Sequence, residues 1–163
     1  MNNIKIRQVK LEDLERIAEI EVICFPPLEA ASKETLKERM LAFPNSFFVA
    51  EKEGEIIGFI NGCATDSYVI FDELYHDASL HKPDGENLVV FGLNVVPEYQ
   101  RQGIAAQLVN YYIESAKNYG HRRVILTCKE HLIHYYEYFS FINGGISSST
   151  HGGSRWYNMT LEL

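Results

Sequence analysis

Apolar and polar positions along this chain change period repeatedly, and each change marks an element. Ile4 to Val9 alternates apolar Ile4 and Ile6 with polar neighbours, the period of a first strand. Leu14, Ile17, Ala18 and the pair Glu21-Val22 then fall at helical spacing, with Glu12 and Asp13 near the positive N-terminal end. That helix runs out at Cys24-Phe25-Pro26-Pro27, because proline excludes helix from the residue before it. Ser32 reads as the N-cap of a second helix from Lys33 to Leu41, with Leu36, Met40 and Leu41 on one side and Phe43-Pro44 closing it. Ser46 to Glu51 and Glu55 to Ala64 are short apolar runs joined by Lys52-Glu53-Gly54, an antiparallel hairpin.

Between Ala64 and Asn87 the pattern breaks. A stretch of this length inside a compact domain is characteristically a functional cover, here with a short helix around Phe71 to His76. It carries Asp66, Asp72, Glu73, Asp77, Asp84 and Glu86 against Lys82, with Tyr68, Phe71 and Tyr75 interleaved. Acids with aromatics suit an organic amine; a solvated loop whose aromatics dock on the core has the same composition.

The strongest pattern follows. Leu88 to Val96 is an apolar strand stopped by Pro97, and Gln100-Arg101-Gln102-Gly103-Ile104-Ala105-Ala106 opens a helix in which Ile104, Leu108, Tyr112 and Ala116 recur every four residues. Gly120 ends it, and Arg123 to Lys129 forms a strand parallel to the first through a right-handed crossover. Ligands of such units collect at the C-terminal strand ends. Leu132 to Phe139 is a short helix, and Trp156 to Leu163 alternates as a last strand.

Composition narrows the class. With 163 residues, 46% hydrophobic and 23% charged, the chain is expected to form one globular domain spanning 1–163. The apolar runs are too short to span a bilayer and Met1-Asn2-Asn3-Ile4-Lys5 lacks an apolar signal core, so a cytoplasmic, membrane-free protein is expected. A net charge of −7 with no Lys/Arg cluster argues against nucleic acid and permits a cationic substrate. Cys24, Cys63 and Cys128 are far apart in or beside apolar segments and read as reduced, buried thiols. His131 and His134 lie at i, i+3 without a recognisable third ligand, so no metal is expected.

The first turn of the long helix is where chemistry enters. Gly103 and the small Ala105 and Ala106 leave backbone N–H groups uncrowded, and Arg101 adds charge beside them, so a pyrophosphate fits there. The same residues also suit a helix packed tightly on its parent strand. Gln100-x-x-Gly103-x-Ala105 after a strand ending in Val95-Val96-Pro97 resembles the acetyl-coenzyme A signature of the GNAT superfamily of N-acetyltransferases. Tyr135-Tyr136-Glu137-Tyr138-Phe139-Ser140-Phe141 resembles that family's second segment, (F/Y)-Y-x-x-x-G-F, with Ser140 where glycine is usual. The element order matches over essentially the whole chain. The resemblance implies an α/β (α+β) GNAT fold, with a central mixed sheet of about seven strands, about four helices, and a splayed parallel pair at the cofactor site.

It further implies acetyl-CoA as co-substrate, held by Gln100, Arg101, Gln102, Gly103, Ile104, Ala105 and Ala106 at its pyrophosphate and by backbone of Leu93, Asn94 and Val95 along its pantetheine arm. A strand N–H near Leu93 would polarise the thioester carbonyl, and Tyr136, also against the cofactor, would protonate the leaving thiolate. Gly92 within the strand marks either a bulge with close backbone approach or a glycine tolerated for packing.

Within the superfamily, Glu73-Leu74 through Pro83, the Cys24-Phe25-Pro26-Pro27-Leu28 loop and the Tyr136 segment resemble arylalkylamine (serotonin) N-acetyltransferases. Those enzymes carry two strand histidines where this chain has Val89 and Phe91, so their histidine relay is absent. A base is still needed, since a free alkylamine with a pKa of about 10 is neutral in only about one molecule in a thousand near pH 7. The candidates are Glu29, Asp72, Glu73, His76 and His151, with Glu29 and Asp72 first. Phe25, Pro27, Leu28, Glu29, Asp72, Glu73 and Phe91 are expected to wall the substrate pocket. The expected reaction is direct acetyl transfer to a small aromatic or hydrophobic amine by a monomer or homodimer. The alternatives are a protein or peptide N-acetyltransferase and a non-catalytic ligand-binding GNAT-fold protein.

Overall fold

The computed structural model describes residues 3–163; Met1 and Asn2, part of the stretch read above for a signal core, lie outside the described residues. The early alternation becomes an antiparallel meander of β1 (Ile4–Gln8), β2 (Phe47–Lys52) and β3 (Glu55–Asn61), the last two joined by the turn at Glu53-Gly54. Between β1 and β2 run α1 (Leu14–Cys24) and α2 (Lys33–Ala42). As expected, Ser32 caps α2 by accepting the Thr35 N–H.

The expected central strand is interrupted. It is split at Phe91 into β5 (Asn87–Val90) and β6 (Gly92–Val95), preceded by a two-residue β4 (Ala64–Thr65). β6 completes the first sheet, in the order β1-β2-β3-β6. β5 enters a second, ordered β4-β5-β7-β9-β8, with β7 (Arg123–Cys128), β8 (Ile142–Ile146) and β9 (Tyr157–Glu162). The expected single sheet of about seven strands is therefore corrected to two sheets, with nine strands and five helices among the described residues. The physical cause lies in pairing. β5 runs parallel to β7 only from Asn87 opposite Arg123 to Val90 opposite Leu126, while β6 stays with β3, so the parallel partners part beyond Val90.

Helix α4 (Ile104–Asn118) makes the crossover between them, burying Ile104, Leu108, Tyr112 and Ala116 as the spacing requires. Tyr112 Oη donates to Val89 O at 2.5 Å, and Gly62 lies so close to that carbonyl that a Cβ there would sit 1.6 Å from it. Ile60 and Leu93 face α4 with Val109 and Tyr112, whereas Asn61 and Asn94 face α2 and α1, which places helices on both faces of the first sheet. The 66–86 insert holds the short α3 (Asp72–His76). Its Ile70, Leu74 and Tyr75 pack with Phe43, Cys63, Val89 and Ile125, while Asp66 pairs with Lys82 at the surface.

Candidate active site

Where β6 and β7 part, a cleft of 580 Å³ opens, lined by Cys24, Phe25, the backbone run Leu93–Val95, Tyr99, Gln100, Arg101, the helix end Gly103–Ala106, and Leu132, Tyr135 and Tyr136. In an antiparallel ladder, alternate residues turn both backbone groups to the same neighbour. Val96 donates to Ile57 O, so Asn94 and Gly92 share that side, and Leu93 and Val95 present theirs to the cleft. Val95 O accepts from Gln100 Nε2 at 2.9 Å and Cys24 Sγ at 3.5 Å. The N–H of Leu93 has no protein partner among the described residues.

The opposite wall is the start of α4. Gly103 sits at its N-cap with φ 82°, no side chain caps the helix, and Arg101 also adopts the left-handed region at φ 62°. A Cβ on Gly103 would meet nothing within 4 Å, so the position faces open space and its glycine answers a backbone requirement. Free N–H groups, a helix end and the exposed Arg101 give this corner a positive electrostatic character. Gln102 does not line the cleft; its Nε2 reaches back to Glu98 O at 3.4 Å.

Tyr136 belongs to α5 (Ile133–Glu137) and is buried, its ring edge-on to Phe141 and Tyr135. Ser140 ends this segment at φ 76°, a conformation glycine adopts freely, at a strain of about 1–2 kcal/mol for other residues. Tyr136 also lines a second, smaller cavity of 110 Å³, which continues past Leu93 to Glu21, Glu29, Phe91, Thr127, His151 and Trp156. A third of 250 Å³ shares Glu21, Glu29, Phe91 and His151 and reaches Leu28, Thr35, Arg39, Tyr75 and His76. The phenol therefore stands between the cleft and a chain of smaller cavities. Burial pushes the Tyr136 pKa well above the usual phenol value, with Tyr135 and Cys128 adding to the shift, so the group carries its proton.

The expected substrate-side residues scatter. Phe25 lines the cleft and the first cavity, and Phe91 and Glu29 line both cavities. Leu28 is exposed at the rim of the outer one, and Pro27 is exposed and lines none of the three. Asp72 accepts from Ser149 Oγ at 2.5 Å, tying the insert to the β8–β9 loop, and Glu73 is exposed; neither lines these cavities, which corrects their placement in the pocket wall. Glu29 accepts from Lys129 Nζ at 2.8 Å and its carbonyl from His151 Nε2 at 3.1 Å, so its carboxylate is already engaged. His151 stacks on Tyr75 at 4.9 Å.

By spacing alone Glu21 is one more position of helix α1. It is buried, accepts from Ala31 N–H at 2.8 Å and from Asn94 Nδ2 at 3.4 Å, and lines both small cavities. Its sequence signal was present: a carboxylate stood on the apolar stripe of Leu14, Ile17 and Ala18, where burial without a purpose is costly. No group of three metal-ligating side chains and no helix long and apolar enough to cross a membrane occurs among the described residues.

A sheet splayed at a strand with free backbone, facing an uncapped helix end, is the architecture of the GNAT acetyltransferases. The sequence matches the Acetyltransferase (GNAT) family over residues 14–141, and the chain belongs to that family. A probable hydrolase, YhcX, of Bacillus subtilis (strain 168) is 30% identical over 128 residues; the match takes in 74% of this chain and 25% of that protein, so the chain spans about a quarter of this relative's length. Among solved structures, the GphF GNAT-like decarboxylase in complex with isobutyryl-CoA is similar with a TM-score of 0.84 at 20% identity, covering 97% of this chain and 98% of that one. The putative acetyltransferase yncA from Salmonella typhimurium with acetyl-CoA gives 0.72 at 16% identity, covering 99% and 95%. At these identities the structures speak for the fold.

Proposed function

We propose that this chain transfers the acyl group of an acyl-CoA, acetyl-CoA first, to the primary amine of a small molecule by direct attack in a ternary complex. One observation carries the reading: the unpaired Leu93 N–H, the uncapped α4 end and the Tyr136 phenol meet on one cleft that continues into acceptor-sized cavities. Gly103, Ile104, Ala105 and Ala106, with Arg101, suit the pyrophosphate, and the Leu93 backbone with the Val95 N–H, turned to the cleft, suits the amide-bearing pantetheine arm. Leu93 N–H stabilises the charge that develops on the carbonyl oxygen, and Tyr136 gives its proton to the departing sulfur. Aromatic walls from Phe25, Tyr75, Phe91 and Trp156 support an aromatic or hydrophobic acceptor, as in the arylalkylamine enzymes the sequence resembles.

A second reading, loss of carbon dioxide from a carboxy-acyl thioester, is favoured by Arg39. Its guanidinium is buried at the outer cavity, bonded to Asn61 Oδ1 at 3.1 Å and Tyr75 O at 3.0 Å, with no carboxylate at ion-pair distance among the described residues. Mass analysis of the thioester separates the two, since decarboxylation shortens it and frees no thiol. The cofactor assignment is tested by thermal unfolding. Acetyl-CoA at about 100 times its dissociation constant is expected to add about 2.7 kcal/mol of stability, and adenosine alone to add none of comparable size. No shift at millimolar acetyl-CoA contradicts the assignment.

A further inference from the structure

We infer that Glu21, inside helix α1, is the group that receives the acceptor's ammonium and takes its proton before attack. The inference rests on the acyl-transfer reading above. Glu21 lies at the junction of the two small cavities, one of which contains Leu93 and Tyr136, so an amine placed to attack beside them sits against this carboxylate. Its two oxygens have distinct partners. Ala31 N–H holds Oε2 and fixes the α1–α2 connection, while Oε1 has only the long contact to Asn94 Nδ2 and so keeps capacity for an incoming N–H. Asn94 belongs to the strand that offers Leu93 N–H, so the same element positions the carboxylate and the oxyanion donor.

The alternatives fit less well. Glu29 lines the same cavities but is paired with Lys129, and Asp72 and Glu73 line neither. Burial raises the pKa of Glu21, opposed by the Ala31 N–H and by the charge of Arg39, which makes it a stronger base than a solvated carboxylate. The charged and titratable groups around it are Arg39 from α2, Cys24 from its own helix and Glu29 from the following loop. Tyr75 and His76 from α3, His151 from the β8–β9 loop and Tyr136 from α5 complete the set.

The step balances. Glu21 takes a proton from R–NH3+, and the free amine nitrogen forms a bond to the thioester carbon. The carbon–sulfur bond breaks with its electron pair on sulfur, which receives the Tyr136 proton. The nitrogen returns its surplus proton to Tyr136, and Glu21 releases its own to solvent through the outer cavity. Net, an ammonium and a thioester give an amide, a thiol and one proton.

The test compares wild type with Glu21→Gln in amine-dependent thiol release from acetyl-CoA across pH, alongside acetyl-CoA affinity by calorimetry. The glutamine keeps the shape and can still accept from Ala31. We expect kcat to fall about 100-fold at unchanged acetyl-CoA affinity. The acid limb of the kcat profile, set by a carboxylate above its usual range, should disappear and leave only the amine's own ionisation. Glu21→Asp should recover part of the rate and the limb. An unchanged pH profile in a variant that still binds acetyl-CoA overturns the inference, whether kcat falls or not. Should Glu21→Gln fail to fold, a Glu21→Asp profile identical to wild type in both rate and limb overturns it equally. Absence of amine-dependent release in wild type overturns the acyl-transfer reading itself, a separate result.

Discussion

Gly103→Glu is expected to weaken acetyl-CoA binding by about 100-fold or more, corresponding to about 2.7 kcal/mol, with the fold intact. Two effects add. The residue sits at φ 82°, where a side chain is strained by about 1–2 kcal/mol, and the new carboxylate places negative charge where the α4 end and Arg101 attract it. Steric conflict with the protein is not involved, because a Cβ there meets nothing within 4 Å. Gly103→Ala isolates the strain and should lose about tenfold at most. Calorimetric titration with acetyl-CoA measures both, and normal affinity in the glutamate variant refutes a pyrophosphate at this helix end.

Tyr136→Phe is expected to lower kcat by about 10- to 1,000-fold with little change in acetyl-CoA affinity, the range for removing a general acid. The phenol's ring packing on Phe141 survives the change, so the loss reads the hydroxyl alone. pH supplies an independent check. Desolvation holds the pKa of Tyr136 above the ordinary phenol value, so its proton-bearing form persists as pH rises past about 10, and no alkaline loss of kcat from this group should occur below that point. For the same reason Tyr136 stabilises the fold fully below the unfolded-state phenol pKa, and that contribution declines as pH climbs through the interval up to its raised folded value. Steady-state kinetics settles the matter: unchanged turnover in the phenylalanine variant removes Tyr136 from the mechanism.

Much of this site was legible because it is local. The strand, loop and helix from Leu88 to Asn118 are contiguous, and both periodicity and the small residues at Gly103, Ala105 and Ala106 mark the junction. Tyr136 was placed by a short segment whose Ser140 turn is itself local. What the sequence could not show depends on distant contacts. Asp72 is separated by 77 residues from Ser149, its partner outside the cavities, and Glu29, which lines them as expected, by 100 from the Lys129 that engages its carboxylate. At the split the one local mark is Gly92, which leaves a bulge and a packing glycine both open; the apolar run Leu88 to Val96 reads as one strand until the diverging partners β3 and β7 are known. The two positions lacking histidine share a face and the smaller core, and depth separates them. Val89 is fully buried in the smaller core, whereas Phe91 lines the cavities.

The most direct measurement follows free thiol from acetyl-CoA with and without a panel of small aromatic and aliphatic amines. Acyl transfer at this cleft predicts thiol release that depends on amine and matches N-acetylated product one to one. Firm acetyl-CoA binding with no amine-dependent thiol across the panel contradicts it.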